Sequence, residues 1–201
     1  MALYNHNRQI SFNEIRVVFT VEGFYVENNF VIKELGYKSK DLNGSIFFNT
    51  DSKLLNKKDK NKSYFLSNFV HGINFYKNNE HWISSKDYSS VIKTIYQLTE
   101  DKNDKNKKYI GYSNDINVLT LLHNSGLDKI SVNLKQVFED IPTIKKIKHL
   151  PAYGFGSYAP CHMHDRSTEY KFQCAKVKSL ILFEWCLEKY MNQIINKYGI
   201  D

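Results

Sequence analysis

The sequence predicts an α/β fold, a mixed β-sheet flanked by helices. Three features carry this. Residues 15–49 hold three consecutive β-branched and aromatic segments separated by tight-turn residues. Residues 108–133 then alternate short strand-like segments with helical spacing. Ala175–Tyr198 is a long amphipathic stretch that closes the domain. Antiparallel hairpins first and helical crossovers later make a sheet with both kinds of pairing, its faces covered by helices.

Residues 1–14 read as a flexible lead-in to a single domain over 15–201. Ile15–Val26 (IRVVFTVEGFYV) has the composition of a buried strand. Residues 27–29 form a tight turn and 30–39 an antiparallel return. Residues 40–44 form the next turn, with Asn43-Gly44 as its signal, and 45–49 a third strand. The Lys- and Asn-rich residues 51–62 read as a mobile connection, and 63–74 are apolar enough for a short helix. Ser84 or Ser85 can cap a helix over Tyr88–Leu98, where Val91, Ile92, Ile95 and Leu98 share helical spacing. The charge run at 100–108 (EDKNDKNKK) reads as a solvated loop. Next come a strand at 108–112, a helix at 115–124 stopped by Gly126, and a strand at 129–133. A helix at 141–149 opens with Pro142, and 151–173 are a Gly- and Tyr-rich loop.

Composition bounds the partners. The 201 residues suffice for one domain with a real core. Fourteen Tyr and thirteen Phe accompany a formal charge of +7, most of the surplus being Lys. A basic surface favours anionic partners, of which nucleic acid is the commonest inside cells. Heavy use of Asn, Lys, Ile and Tyr also fits an AT-rich coding bias, which raises the Lys count without any function. No stretch of about eighteen apolar residues occurs, so no membrane span is expected. The first residues are too polar for a signal peptide. An intracellular setting, cytoplasm or nucleus, is the expectation.

The chemistry concentrates near the end of the chain. Cys161-His162-Met163-His164 and Cys174 put two thiols and two imidazoles within fourteen residues. The C-x2-H spacing of Cys161 and His164 lets one turn of backbone aim both at one point, and Cys174 closes a loop onto it. Thiolate and imidazole donors at tetrahedral reach select Zn²⁺. A closed site needs a fourth ligand: His162, Asp165, Glu169, Cys186 or a distant carboxylate. Against this, cysteines are often buried small hydrophobes, and Cys186 fits that description on the apolar side of the last helix.

These residues, with the opening strand pair, resemble the Maelstrom domain. The resemblant segments are Val17–Phe24, Phe30–Leu35 and the terminal C-x2-H … C-A element, and the likeness spans roughly residues 15–190. The resemblance implies a ribonuclease-H-like, exonuclease-derived fold stapled by zinc. It implies a structural Zn²⁺ held by Glu34, which stands in a hydrophobic-Glu-Leu context on the second strand, with Cys161, His164 and Cys174. Such domains occur in a piRNA-pathway protein and in insect proteins associated with mobile elements. One departure is the nine-residue gap between His164 and Cys174, which is longer than expected and keeps His162 in play.

An exonuclease of that ancestry holds two Mg²⁺ with four carboxylates and uses a His base. Here the first strand offers Thr20-Val21-Glu22 in place of Asp-x-Glu. The last helix opens Gln173-Cys174-Ala175-Lys176-Val177-Lys178, with no His and with lysine where an acid is needed. The two-metal site is therefore expected to be lost, and the resemblance implies a degenerate exonuclease-like domain binding single-stranded RNA or an RNA-silencing complex. Metal-independent RNA cleavage, with which such domains have been linked, has no assignable base here. Lys145, Lys146, Lys148, Arg166 and Lys171 are the candidate RNA contacts, since lysines hold phosphates where aromatics stack on bases. Two alternatives stand beside it: a protein-interaction scaffold of a viral, mobile-element or piRNA-type pathway, and an active nuclease built on Glu22, Asp115 and Asp165.

Overall fold

In the computed structural model, residues 10–50, 56–69, 73–75, 77–100, 104–141, 143 and 174–199 are described. Six strands form one sheet in the order β4-β3-β2-β1-β5-β6. Strands β1 (Ile15–Val26), β2 (Asn29–Ser39) and β3 (Asn43–Asn49) pair antiparallel. The two-residue β4 (Ile83–Ser84) runs parallel to β3, while β5 (Tyr109–Tyr112) and β6 (Ser131–Asn133) extend the sheet parallel to β1. Between them lie helices α1 (Lys57–Phe69), α2 (Tyr88–Leu98) and α3 (Ile116–Asn124), and α4 (Ala175–Tyr198) closes the domain.

β1 is buried on both faces, and its alternation sorts the core into two layers. Val17, Phe19 and Val21 meet Val91, Ile92 and Ile95 of α2 and Val118, Leu121 and Leu122 of α3. Val18 belongs to the other layer, with Val177, Ile181, Leu182, Trp185 and Cys186 of α4, and Ile15 joins it because the register against β5 shifts between Ile15 and Val17. No helix among the described residues is long and apolar enough to cross a membrane.

Several elements differ from expectation, each for a local reason. Ile10 and Phe12 are buried beside Phe183, so the packed unit begins before Ile15, inside the expected lead-in; residues 1–9 lie outside the described residues. Asn43-Gly44 belongs to β3, not to the turn. The turn is closed instead by Ser39, whose N–H donates to the Leu42 carbonyl (2.8 Å) and whose Oγ accepts the Leu42 N–H (3.0 Å). A Cβ on Gly44 would stand 2.6 Å from Tyr37 Oη, so a larger residue there requires the tyrosine side chain to shift. The expected connection is helical from Lys57, because Asn56 Oδ1 accepts the Asp59 N–H (2.9 Å) and starts α1 early. Asp87 occupies the N-cap of α2, while Ser84 Oγ accepts the Lys86 N–H. A 3-10 turn over Asp128–Ile130 shortens β6. The expected helix at 141–149 falls outside the described residues apart from the buried Ile141 and Thr143.

The β1–β2 turn is two residues, Glu27 and Asn28, both at positive φ (48° and 68°), the geometry that matches strand twist in a tight hairpin. Farther along the same ladder the register slips. Glu22 faces Glu34, but Gly23 faces Ile32, so Lys33 is an extra residue on β2. Such a bulge breaks the alternation of period two and lets neighbouring side chains share a face.

Candidate metal centre

The bulge buries two consecutive charged residues. Lys33 and Glu34 are both 0% exposed. Each is handled differently by its surroundings.

Glu34 lies under the first turn of α4. Its Oε2 accepts the Ala175 N–H (3.0 Å), and Cys174 Sγ is 3.4 Å from its Oε1. A carboxylate at the start of a 24-residue helix is favoured by the free N–H groups there. Two further contacts seat this turn on the sheet. Thr20 Oγ1 donates to the Ala175 carbonyl (2.6 Å). Gly36 lets the backbone touch the strand: a Cβ there would stand 2.1 Å from Ala175 C and O.

Glu34 and Cys174, separated by 140 residues in sequence, are thus neighbours in space. Their donor atoms fit a shared zinc ion. With Zn–O and Zn–S distances of about 2.0 and 2.3 Å, two corners of a tetrahedron lie about 3.5 Å apart. The observed 3.4 Å matches. The same separation also suits a thiol donating to a carboxylate, so geometry alone accommodates both states. Cys161, His162, His164, Asp165 and Glu169 lie outside the described residues. No group of three metal-competent side chains occurs among the described residues. Cys186 is removed as a fourth ligand: it is twelve residues down α4 from Cys174, about 18 Å along the axis. It packs in the core, where burial pushes its thiol pKa up.

Glu22 is the direct cross-strand neighbour of Glu34, so two carboxylates stand side by side. Lys178, one turn into α4, forms an ion pair with Glu22, and both side chains are largely buried, at 19% and 12% exposure. Lys178 therefore acts as an internal counter-cation to Glu22. Asp115 is engaged as the N-cap of α3, accepting the Asn117 N–H (2.9 Å).

Lys33 points toward the adjoining loop. Its Nζ is within hydrogen-bond distance of Thr50 Oγ1 (3.2 Å), the Phe75 carbonyl (3.1 Å), the Lys77 carbonyl (2.6 Å) and Asn78 Oδ1 (3.1 Å). The Trp82 ring lies 5.1 Å away. Burial lowers its pKa to about 8, so the ammonium still prevails at neutral pH. A strand pattern of period two cannot show this cage, because it assigns Lys33 and Glu34 to opposite faces.

The candidate RNA contacts Lys145, Lys146, Lys148, Arg166 and Lys171 lie outside the described residues. Two aromatics that stand near lysines in the sequence, Phe75 and Tyr109, are core residues at 1% and 8% exposure and are not available for stacking. Tyr64 and Phe65 differ, at 66% and 56%. No protein family matches the chain, and no curated protein matches it either.

Lys178→Met removes the ammonium paired with Glu22 beside Glu34 and should cost about 2–4 kcal/mol in urea unfolding. Adding Glu22→Gln should recover more than about 1 kcal/mol of that loss. Simply additive costs would show that the two side chains do not interact. Lys33→Met removes the donor from the Lys77 carbonyl. It should destabilise the fold by about 2 kcal/mol and speed amide exchange at residues 77–79; unchanged exchange there would contradict the staple.

Proposed function

We propose that this chain is a catalytically degenerate, exonuclease-like domain of ribonuclease-H-like type that holds a structural zinc and binds single-stranded RNA or an RNA-silencing complex. The observation that carries this reading is the meeting of Glu34 and Cys174 at the start of α4. A front-of-chain carboxylate and a back-of-chain thiol are what the resemblance to the Maelstrom domain requires to be close. The strand order supports the same ancestry: an antiparallel β1-β2-β3 meander, with β5 and β6 added parallel on the far side of β1.

The zinc would be held by Glu34, Cys161, His164 and Cys174, with His162 as the substitute for His164. Bound there, Zn²⁺ supplies a cross-link between sheet and terminal helix and compensates a buried carboxylate. The chain's own residues prepare one corner. Ala175 N–H fixes Oε2, Gly36 admits the helix backbone, and the Thr20 hydroxyl holds the Ala175 carbonyl.

Hydrolysis through two Mg²⁺ is disfavoured by the same geometry. The Glu22 carboxylate is neutralised by Lys178, and Asp115 is a helix cap. An active nuclease on Glu22, Asp115 and Asp165 would have to break both arrangements. The scaffold alternative has one observation in its favour. Leu187, Met191, Ile195 and Tyr198 of α4 are each more than 40% exposed and follow one another at helical spacing.

Metal analysis of the purified protein should find about one zinc per chain. Glu34→Gln keeps an acceptor for Ala175 N–H but weakens the ligand, and Cys174→Ser removes the thiolate. Both should lose zinc, and a chelator should lower the wild-type melting temperature but not theirs. A metal-free wild type that melts normally would sink the zinc. Binding to oligouridine that weakens linearly in log salt, with no need of Mg²⁺, is the expected RNA result. No binding at low salt, together with self-association through α4, would favour the scaffold.

A further inference from the structure

The outward face of α1 joins charge and exposed ring surface in a way the rest of the described surface does not explain. The helix carries four lysines and a single aspartate. That aspartate, Asp59, is buried and turned inward, where its Oδ2 accepts the Glu27 N–H (3.2 Å) from the hairpin turn. Ser63, one turn later, is buried too. Lys57, Lys58, Lys60 and Lys62 are all exposed.

At 100° per residue, Lys57, Lys58, Asn61, Tyr64 and Phe65 fall on the half of the helix opposite Asp59 and Ser63. Lys60 and Lys62 flank that half. Lysines at spacings of three and four (Lys57/Lys60, Lys58/Lys62) repel one another and weaken an isolated helix. On the same half of the helix two aromatic rings are 66% and 56% exposed. One kind of partner engages both features. A polyanion screens the lysines, and flat π-faces cover the rings. Lys62 also stands 5.1 Å over the Tyr25 ring, which carries the patch toward the hairpin.

We propose that this face of α1 is a binding surface for single-stranded nucleic acid, with the four lysines on phosphates and Tyr64 and Phe65 stacked on unpaired bases. The inference rests on the nucleic-acid reading above and assigns it a place. Duplexes fit less well, because their bases are stacked on each other and offer no free face. An acidic peptide would satisfy the lysines but bring no flat π-faces to the exposed ring surface.

The test titrates the full chain with a labelled oligouridine of about twenty nucleotides between about 50 and 200 mM salt. An oligothymidine and an RNA duplex serve as comparisons. One variant carries Lys57→Gln, Lys58→Gln, Lys60→Gln and Lys62→Gln; the other carries Tyr64→Ser and Phe65→Ser. Thermal melting checks that both remain folded. The lysine variant should bind at least about tenfold more weakly, with a salt slope flatter by about 0.7 per lost contact. The aromatic variant should lose about tenfold or more with the slope unchanged. Oligothymidine binding, equal or weaker, fits the surface either way and reports whether the 2′-hydroxyl contributes. Wild-type affinity in both variants overturns this surface while leaving RNA binding elsewhere on the chain intact. A silent aromatic pair, or equal affinity for the duplex, reduces the patch to a general polyanion surface and overturns the single-strand assignment. No binding by the wild type removes both this inference and the reading beneath it.

Discussion

The first turn of α4 is set directly on strands β1 and β2, and the rest of the α4 layer follows from that seat. Gly36 removes the side chain that would collide with Ala175. The Thr20 hydroxyl and the Glu34 carboxylate then take the Ala175 carbonyl and N–H in turn. Both backbone polar groups of one residue at a helix start are thereby tied to the sheet. With the start fixed, the helix axis is fixed, and Val177, Ile181, Leu182 and Trp185 fall on the core. Displacing the seat would take the Ala175 N–H from a buried carboxylate, a group that costs several kcal/mol to bury unless it is paired.

That seat also concentrates charge. Two carboxylates, Glu22 and Glu34, face each other across the ladder, and two lysines, Lys33 and Lys178, lie in the same part of the structure. A protein seldom buries such groups without pairing them. Here the pairing is divided. Lys178 answers Glu22, the helix start answers Glu34, and Lys33 is answered by four oxygens, three of them from residues 75–78. A zinc at Glu34 and Cys174 would add to this pattern without disturbing it, because Oε1 and Sγ already lie at ligand spacing.

The two basic–aromatic regions divide along the same lines. Tyr109 on β5 and Phe75 on the loop against Lys33 are core. Tyr64 and Phe65, on the half of α1 opposite Asp59 and Ser63, are at the surface. Exposure here depends on the face of the element that a ring occupies, which composition cannot assign.

Much of the architecture was legible in the residues. Ile15–Val26, Tyr88–Leu98 and Ala175–Tyr198 coincide with their elements, because long apolar periods and strong stop signals leave little freedom. Asp115 as a cap and Gly126 as a stop were readable for the same local reason. By itself, then, the sequence determined a mixed α/β domain and singled out Glu34 and Cys174 as residues of interest. Only the tertiary structure decided that they touch, that Lys178 neutralises Glu22, and that Lys33 is caged beside them. The reason is physical. Helices and strands arise from periods within a few residues, whereas these contacts depend on one bulged residue and on the angle at which a distant helix meets the sheet.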